Sequence, residues 1–400
     1  MSTLNRVELK SALALASVVG LRMFGLFLVL PVLAFYLQKL PGATPALIGL
    51  ALGVYGIGHM LLQIPMGMLS DRIGRKPVIT FGLALFALGS LTAALAHGVS
   101  GIILGRALQG TGAVTGASQA LAADLSREQS RGAVMGIIGA MIGAAFLLAL
   151  LLGPPLAALA GLQGLFALTF VLVLGAIALL WIVVPHAPPP RGHASAGIAS
   201  ILGTLRDRRL LLLDASVFAL HGVLTAFFVA MPLLLANDLG LAPAAQWRIY
   251  VPALLAAALA MGLLLPRLRT LGASVRVVQA SVAAVGLGLA GLALAGGSVW
   301  MTGAAAMVFF IGFNLLEASL PSLVSRIAPL PMRGAALGAY SASQFFGMAA
   351  GGLLGGLLLG RYGVVGLFAA AAAVSLPWSL LLARGARRMI ATEIGSSPAP

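Results

Sequence analysis

The chain has 400 residues, 60% hydrophobic and only 8% charged, with no cysteine and a formal net charge of +15. A soluble protein of this length must cover itself with polar surface, which this composition cannot supply. The missing cysteine also removes disulfides, thiolate metal sites and a Cys nucleophile.

Apolar stretches of 20 or more residues recur along the chain, long enough to cross a ~30 Å hydrocarbon core as helices. They are filled with Gly and Ala and do not alternate apolar with polar positions, which excludes a closed β-barrel. The expected fold is an all-α integral membrane protein. Its twelve transmembrane helices are predicted at 11–37, 45–69, 77–96, 99–123, 132–158, 162–184, 210–236, 244–265, 275–295, 298–324, 335–360 and 362–383. The first is too long for a cleaved signal peptide and is kept as a span. A Pro-rich, basic linker at 185–209 separates an N-terminal bundle (11–184) from a C-terminal bundle (210–384), with a cytoplasmic tail at 385–400.

Span 1 carries Arg22 near mid-depth, and span 2 carries Tyr55, His59 and Gln63. The loop between spans 2 and 3 reads Gly67-Met-Leu-Ser-Asp71-Arg72-Ile-Gly74-Arg75-Lys76, a concentration of charge unlike the rest of the chain. Gly67 would let two helix backbones approach, as small residues do in membranes. Asp71 could face the positive end of a neighbouring helix, and Arg75 could bridge to Asp124 at the end of span 4. Arg72 and Lys76 need no more than the positive-inside rule. Span 4 holds Gly105-Arg106-Ala-Leu-Gln109-Gly110-Thr-Gly112, and span 5 holds Gly153-Pro154.

In the second half, span 7 carries Asp214 about a turn inside its boundary and His221 near mid-depth, equivalent to Arg22. Arg248 falls in span 8, Asn314 and Glu317 in span 10, and Tyr340, Gln344 and Phe345 in span 11. Ionisable groups inside a membrane are expensive and therefore functional candidates. Glu317 is the first candidate for proton coupling, against a structural pairing with an arginine. His221 titrates in a useful range or packs through a hydrogen bond. Arg22 attracts an anionic substrate or partners an acid. Asp214 is expected to be interfacial. Tyr55, Gln63, Asn314, Tyr340 and Gln344 are possible substrate contacts, each of which could equally be packing. Gly139/Gly143 in span 5 and Gly347/Gly351/Gly355 in span 11 form small-residue ridges for tight helix contact.

With the N-terminus in the cytoplasm, nineteen of the 24 Lys and Arg fall on the cytoplasmic side; Lys39 and Arg361 lie outside, and Arg22, Arg106 and Arg248 lie within spans. That bias is the positive-inside rule, so the basic excess sets topology, with both termini cytoplasmic, and calls for no nucleic-acid partner. The halves also echo one another. Arg131-Gly-Ala-Val-Met-Gly136 enters span 5, and Arg333-Gly-Ala-Ala-Leu-Gly338 enters span 11, an offset of 202. A worn copy of the 2–3 loop, Gly262 to Arg267, lies at an offset of 195. Repeated halves in parallel orientation are a transporter design.

The 67–76 loop resembles the signature loop of the major facilitator superfamily, and Gly105 to Gly112 resembles a second motif of that family. Gly153-Pro154 resembles part of its antiporter motif, with Ala149, Ala157 and Ala158 where the family prefers glycine. With Phe313 to Pro321, the chain is most similar to the YajR-like branch of twelve-helix drug:proton antiporters. The resemblance implies that Gly67, Asp71, Arg72, Gly74, Arg75, Lys76 and Asp124 form a conformational latch between the halves. It implies that Arg106 takes part in proton transfer, that Arg22, Arg106, His221 and Glu317 face one cavity, and that the protein lies in a bacterial inner membrane.

The expected function is proton-driven efflux of small amphipathic or organic compounds by alternating access. The alternative is uptake or facilitated diffusion of a sugar or organic acid. Its partners would be the substrate, protons and the bilayer, with the chain a monomer, no metal and no cofactor beyond the proton gradient. Nine acids and five scattered His give no catalytic constellation, so an enzyme is not expected, and without GxxxxGK[ST] neither is a nucleotide-driven pump.

Overall fold

The computed structural model describes residues 4–185, 203–204, 206–267, 270–329 and 332–395. Among them the architecture is all-helical. Two compact units, Met1–Ser195 with Pro243–Ala245 and Ala196–Ala242 with Gln246–Pro400, carry spans 1–6 and 7–12 respectively. Most of the linker expected at 185–209, and the end of the tail, fall outside the described residues.

Span 1 is Arg6–Leu28, starting earlier than expected because Asn5 and Glu8 form a capping box, each side chain bonded to the other's backbone N–H. It also ends earlier: the chain turns at 29–32, around Pro31, before a short helix at Leu33–Leu37. Spans 2 and 3 are Pro45–Ile73 and Arg75–Ala94. Span 4 is broken into Val99–Thr111 and Thr115–Asp124, a discontinuity that its hydropathy does not reveal.

Spans 5 and 6 form one run, Arg131–Ile182, interrupted at Gly161 (φ 68°, ψ −178°). Spans 11 and 12 form another, Arg333–Gly395, interrupted at Gly363 (φ 67°, ψ −170°). These two glycines are 202 residues apart, the offset of the duplicated Arg-Gly-Ala segments. Their backbone region is essentially reserved for glycine, so the duplication preserves a one-residue joint at corresponding places in both units. Span 7 is Arg208–Leu233, span 8 Trp247–Leu264, span 9 Leu271–Ala293 and span 10 Val299–Ile327.

Within each unit, glycines set the closest approaches. A Cβ on Gly110 would stand 2.2 Å from the Tyr55 carbonyl oxygen, and one on Gly112 would stand 2.4 Å from that of Gly82. Span 4 is therefore squeezed between spans 2 and 3, which accounts for the glycines of the 105–112 motif. A Cβ on Gly153 would meet the Leu28 carbonyl oxygen at 2.5 Å, so the Gly153-Pro154 step seats span 5 on the end of span 1.

Two expectations need correction. A Cβ at Gly67, Gly139 or Gly143 would have no neighbour within 4 Å, so none of these positions serves close helix contact among the described residues. The span 11 ridge does serve it: Gly347 and Gly351 press on the backbone of Phe218 and Gly222 in span 7.

Candidate functional site

At the end of spans 2 and 3, Gly74 joins two helices as a single residue at φ 98°, which is why glycine stands there. The tight joint folds Arg75 back over the end of span 2. Its guanidinium bonds the Asp71 carboxylate, the Ser70 hydroxyl at 2.7 Å and Asp124 at 3.0 Å. The expected Arg75–Asp124 bridge is present, and Asp71 shares the same cation. Arg72 is exposed. Lys76 is not merely a topological charge: it is buried, and its Nζ donates to the Val184 carbonyl at the end of span 6 at 2.5 Å. Loop 2–3 thus ties together spans 2, 3, 4 and 6 within one unit.

A second tie lies at the same end of that unit. Glu8 accepts bonds from the Arg127 backbone N–H at 3.0 Å, its Nε at 2.8 Å and its Nη2 at 2.8 Å. These bonds clamp the start of span 1 to the segment that follows span 4. Asn5-x-x-Glu8 was the signal in the sequence, since a capping box fixes the start of the helix.

Deeper in the unit, Arg22 is 1% exposed and, among the described residues, pairs with no acid. Its Nη2 donates to the Tyr55 hydroxyl at 2.9 Å and to the Gly112 carbonyl at 3.1 Å, and the guanidinium lies 5.1 Å from the Phe86 ring centre. The carbonyl it holds is freed by the break in span 4, where the helix has run out of intrahelical donors. Arg106, fully buried, donates to the Ala51 carbonyl and to Gln109 Oε1 at 2.9 Å, and Gln109 donates to Ser90 at 2.9 Å. Tyr55 links the two arginines: Arg106 sits over its ring at 5.1 Å, and His59 stacks on it at 5.5 Å. The sequence placed Arg22, Tyr55, His59 and Arg106 as separate candidates. Packing makes them one network, and half-buried Gln63 joins it through a side-chain hydrogen bond to His59.

In the other unit, His221 is the hub. Its Nδ1 faces the Val217 carbonyl at 3.3 Å, while Nε2 lies 2.8 Å from the Gln344 amide and 3.5 Å from Glu317 Oε2. Spans 7, 10 and 11 each contribute one member. Glu317 therefore pairs with a histidine, not with an arginine, and its side chain is 43% exposed. Phe313 approaches the His221 ring edge-on at 5.9 Å. Asn314 is not gathered in: its amide donates to the Phe310 carbonyl of its own helix at 2.8 Å. Arg248 is exposed in the first turn of span 8, because the helix starts at Trp247 and not at 244. Asp214, expected at an interface, is 4% exposed inside the unit. Tyr340 and Phe345 are also buried.

A buried histidine within reach of a half-exposed carboxylate can trade a proton with it, and the Gln344 amide can support either tautomer. Among the described residues no cluster of His, Asp or Glu could hold a metal.

The sequence profile of the Major Facilitator Superfamily matches residues 15–332. The inner membrane transport protein YajR of Escherichia coli K12 is 42% identical over 376 residues, covering 93% of this chain and 82% of that protein. The multidrug resistance protein MdtL of Shewanella sp. ANA-3 is 40% identical over 97 residues, 22% of this chain and 24% of that protein. Among solved structures, the POT family transporter PepTSo superposes with a TM-score of 0.78 at 16% identity, covering 96% of this chain and 99% of that chain.

Proposed function

The chain belongs to the major facilitator superfamily and is a membrane transporter, and from that premise we propose that it exports small amphipathic compounds in exchange for protons. The observation that carries this reading is the His221–Glu317–Gln344 cluster. It has a titratable pair at 3.5 Å, with the carboxylate partly exposed and the histidine buried. Glu317 holds the exchanged proton, His221 stabilises the unprotonated carboxylate, and substrate competes for the protein in its deprotonated form. The partial match to MdtL favours drug-like cargo, and YajR favours the inner membrane as the location. In the same reading the Arg75–Asp71–Asp124 knot is the latch, a set of modest contacts that can be broken and remade. Arg22 and Arg106 position the broken span 4.

The test uses proteoliposomes carrying an imposed pH gradient, with ethidium and a quinolone as probes. Accumulation of either against its own gradient, abolished by a protonophore, is expected. Movement that ignores the pH gradient refutes exchange.

A second reading, transport of organic acids, is favoured by the two buried arginines of the N-terminal unit, which have no carboxylate partner among the described residues. It predicts that an aromatic carboxylate, and not ethidium, follows the pH gradient.

A further inference from the structure

Span 7 carries two ionisable groups seven residues apart, Asp214 and His221, which the ~3.6-residue helical period sets on one face. Span 11 lies along that helix in the same direction. A Cβ on Gly347 would meet the Phe218 carbonyl oxygen at 2.2 Å, one on Gly351 the Gly222 carbonyl oxygen at 2.1 Å, and one on Gly355 the Ala226 Cα at 3.2 Å. Each contact advances four residues on both helices. Gln344 of span 11 meets His221 at 2.8 Å. Tyr340, one turn nearer the start of span 11, therefore falls toward the Asp214 end of the cluster. Its phenol interacts electrostatically with both Asp214 and Glu317, and its hydroxyl has no hydrogen-bond partner.

The setting of Asp214 is unusual. The residue is 4% exposed, its Oδ2 has no hydrogen-bond partner, and among the described residues no Lys or Arg stands within ion-pair distance. Two basic groups toward that end are engaged elsewhere: Arg209 with Asp207 at 2.8 Å and Arg326 with Ser274 at 3.2 Å. Tyr340 from span 11 is the titratable group linked to it; His221 lies seven residues along its own helix and pairs with Glu317 of span 10. From span 12, Trp378 donates to Ser216 at 3.1 Å and adds no charge. An ionised carboxylate buried without a partner costs several kcal/mol, whereas a bound proton cancels the charge and converts the group to a donor.

We propose that Asp214 is a second proton-binding carboxylate of the C-terminal unit, connected to Glu317 through the Tyr340 hydroxyl; this rests on the proton-coupled reading above. Asp214 lies six residues from the start of span 7 at Arg208, about 9 Å along the axis, and Glu317 lies ten residues from the end of span 10 at Ile327, about 15 Å. Asp214 is thus the nearer to the end that the charge bias puts in the cytoplasm. That hydroxyl is unpartnered in this structure; once it turns to accept from protonated Glu317 and to donate to the Asp214 carboxylate, Glu317 gives its proton to the phenol oxygen while the original phenol proton passes to Asp214. Tyrosine ends neutral, no electron is transferred, and one proton has moved toward the cytoplasmic end.

The test is infrared difference spectroscopy of the purified full chain across a pH titration, reading the carbonyl stretch of protonated carboxyl groups, with no substrate needed. Asp214→Asn should remove one protonated-carboxyl band. Glu317→Gln should shift the midpoint of the remaining Asp214 band by about one pH unit, the threshold at which two sites titrate as a pair, and Tyr340→Phe should alter that dependence. Asp214→Glu should restore a band. If folded Asp214→Asn retains every band, or if the Asp214 midpoint ignores both Glu317→Gln and Tyr340→Phe, the proposal is wrong. Should Asp214→Asn fail to fold, the two midpoint shifts decide alone. If both bands behave as stated while proteoliposomes show no pH-driven movement of ethidium or a quinolone, the exporter reading fails and the Asp214 site stands.

Discussion

Gly351→Ala should loosen the C-terminal unit at the contact that holds its titratable cluster together. The added Cβ would stand 2.1 Å from the Gly222 carbonyl oxygen and 2.6 Å from both its carbonyl carbon and its Cα, all backbone atoms that no rotamer can clear. Close carbon–oxygen contacts lie near 3.3 Å, so spans 7 and 11 must part by roughly 1 Å. Overpacking of this kind costs about 1–3 kcal/mol. Gly338→Ala, on the same helix with nothing within 4 Å, is the control and should instead gain roughly 0.5–1 kcal/mol from the lower entropy of the unfolded chain. Thermal unfolding in detergent, followed by tryptophan fluorescence, compares the two. Because the separation also draws Gln344 from His221, Gly351→Ala should weaken pH-driven transport more than Gly338→Ala does. An unfolding temperature for Gly351→Ala at or above that of Gly338→Ala would refute the close-packed account of spans 7 and 11.

Gly161→Ala and Gly363→Ala should each destabilise by roughly 1–3 kcal/mol, since both force a side chain into a glycine-only backbone region; the double variant should show nearly additive losses, and a neutral result at either site contradicts the paired-joint reading. Glu8 accepts three bonds from Arg127, and a hydrogen bond to a charged group contributes about 1.5–3 kcal/mol. Glu8→Gln should therefore lower the unfolding temperature in detergent, and an unchanged temperature would show that the clamp is idle. Asp71→Asn removes one partner of Arg75 while Asp124 and Ser70 remain; membrane insertion should persist and transport should fall, with wild-type flux ruling out the latch.

The helical membrane class and the duplication were legible in the sequence because hydropathy and repeated segments are local properties. So were Arg75–Asp124, which the charged 67–76 loop advertised, and the candidacy of Glu317 and His221. The break in span 4 was not, because it depends on Gly110 and Gly112 being pressed by the backbones of spans 2 and 3, which no single-helix pattern records. Arg22 was expected to attract an anionic substrate or to partner an acid; a freed carbonyl and a phenol take its Nη2, which no sequence pattern shows. Asp214 lies close enough to a helix end to suggest an interface. Only the neighbouring spans make it buried.

Glu317→Gln in proteoliposomes tests proton exchange through the His221–Glu317 pair most directly. With a gradient of one pH unit, a one-for-one exchanger of a neutral probe sustains about a tenfold accumulation, equivalent to ~1.4 kcal/mol. The account predicts that wild type approaches that ratio, whereas Glu317→Gln still swaps labelled for unlabelled probe at equilibrium but accumulates none. Accumulation by Glu317→Gln equal to wild type would contradict it.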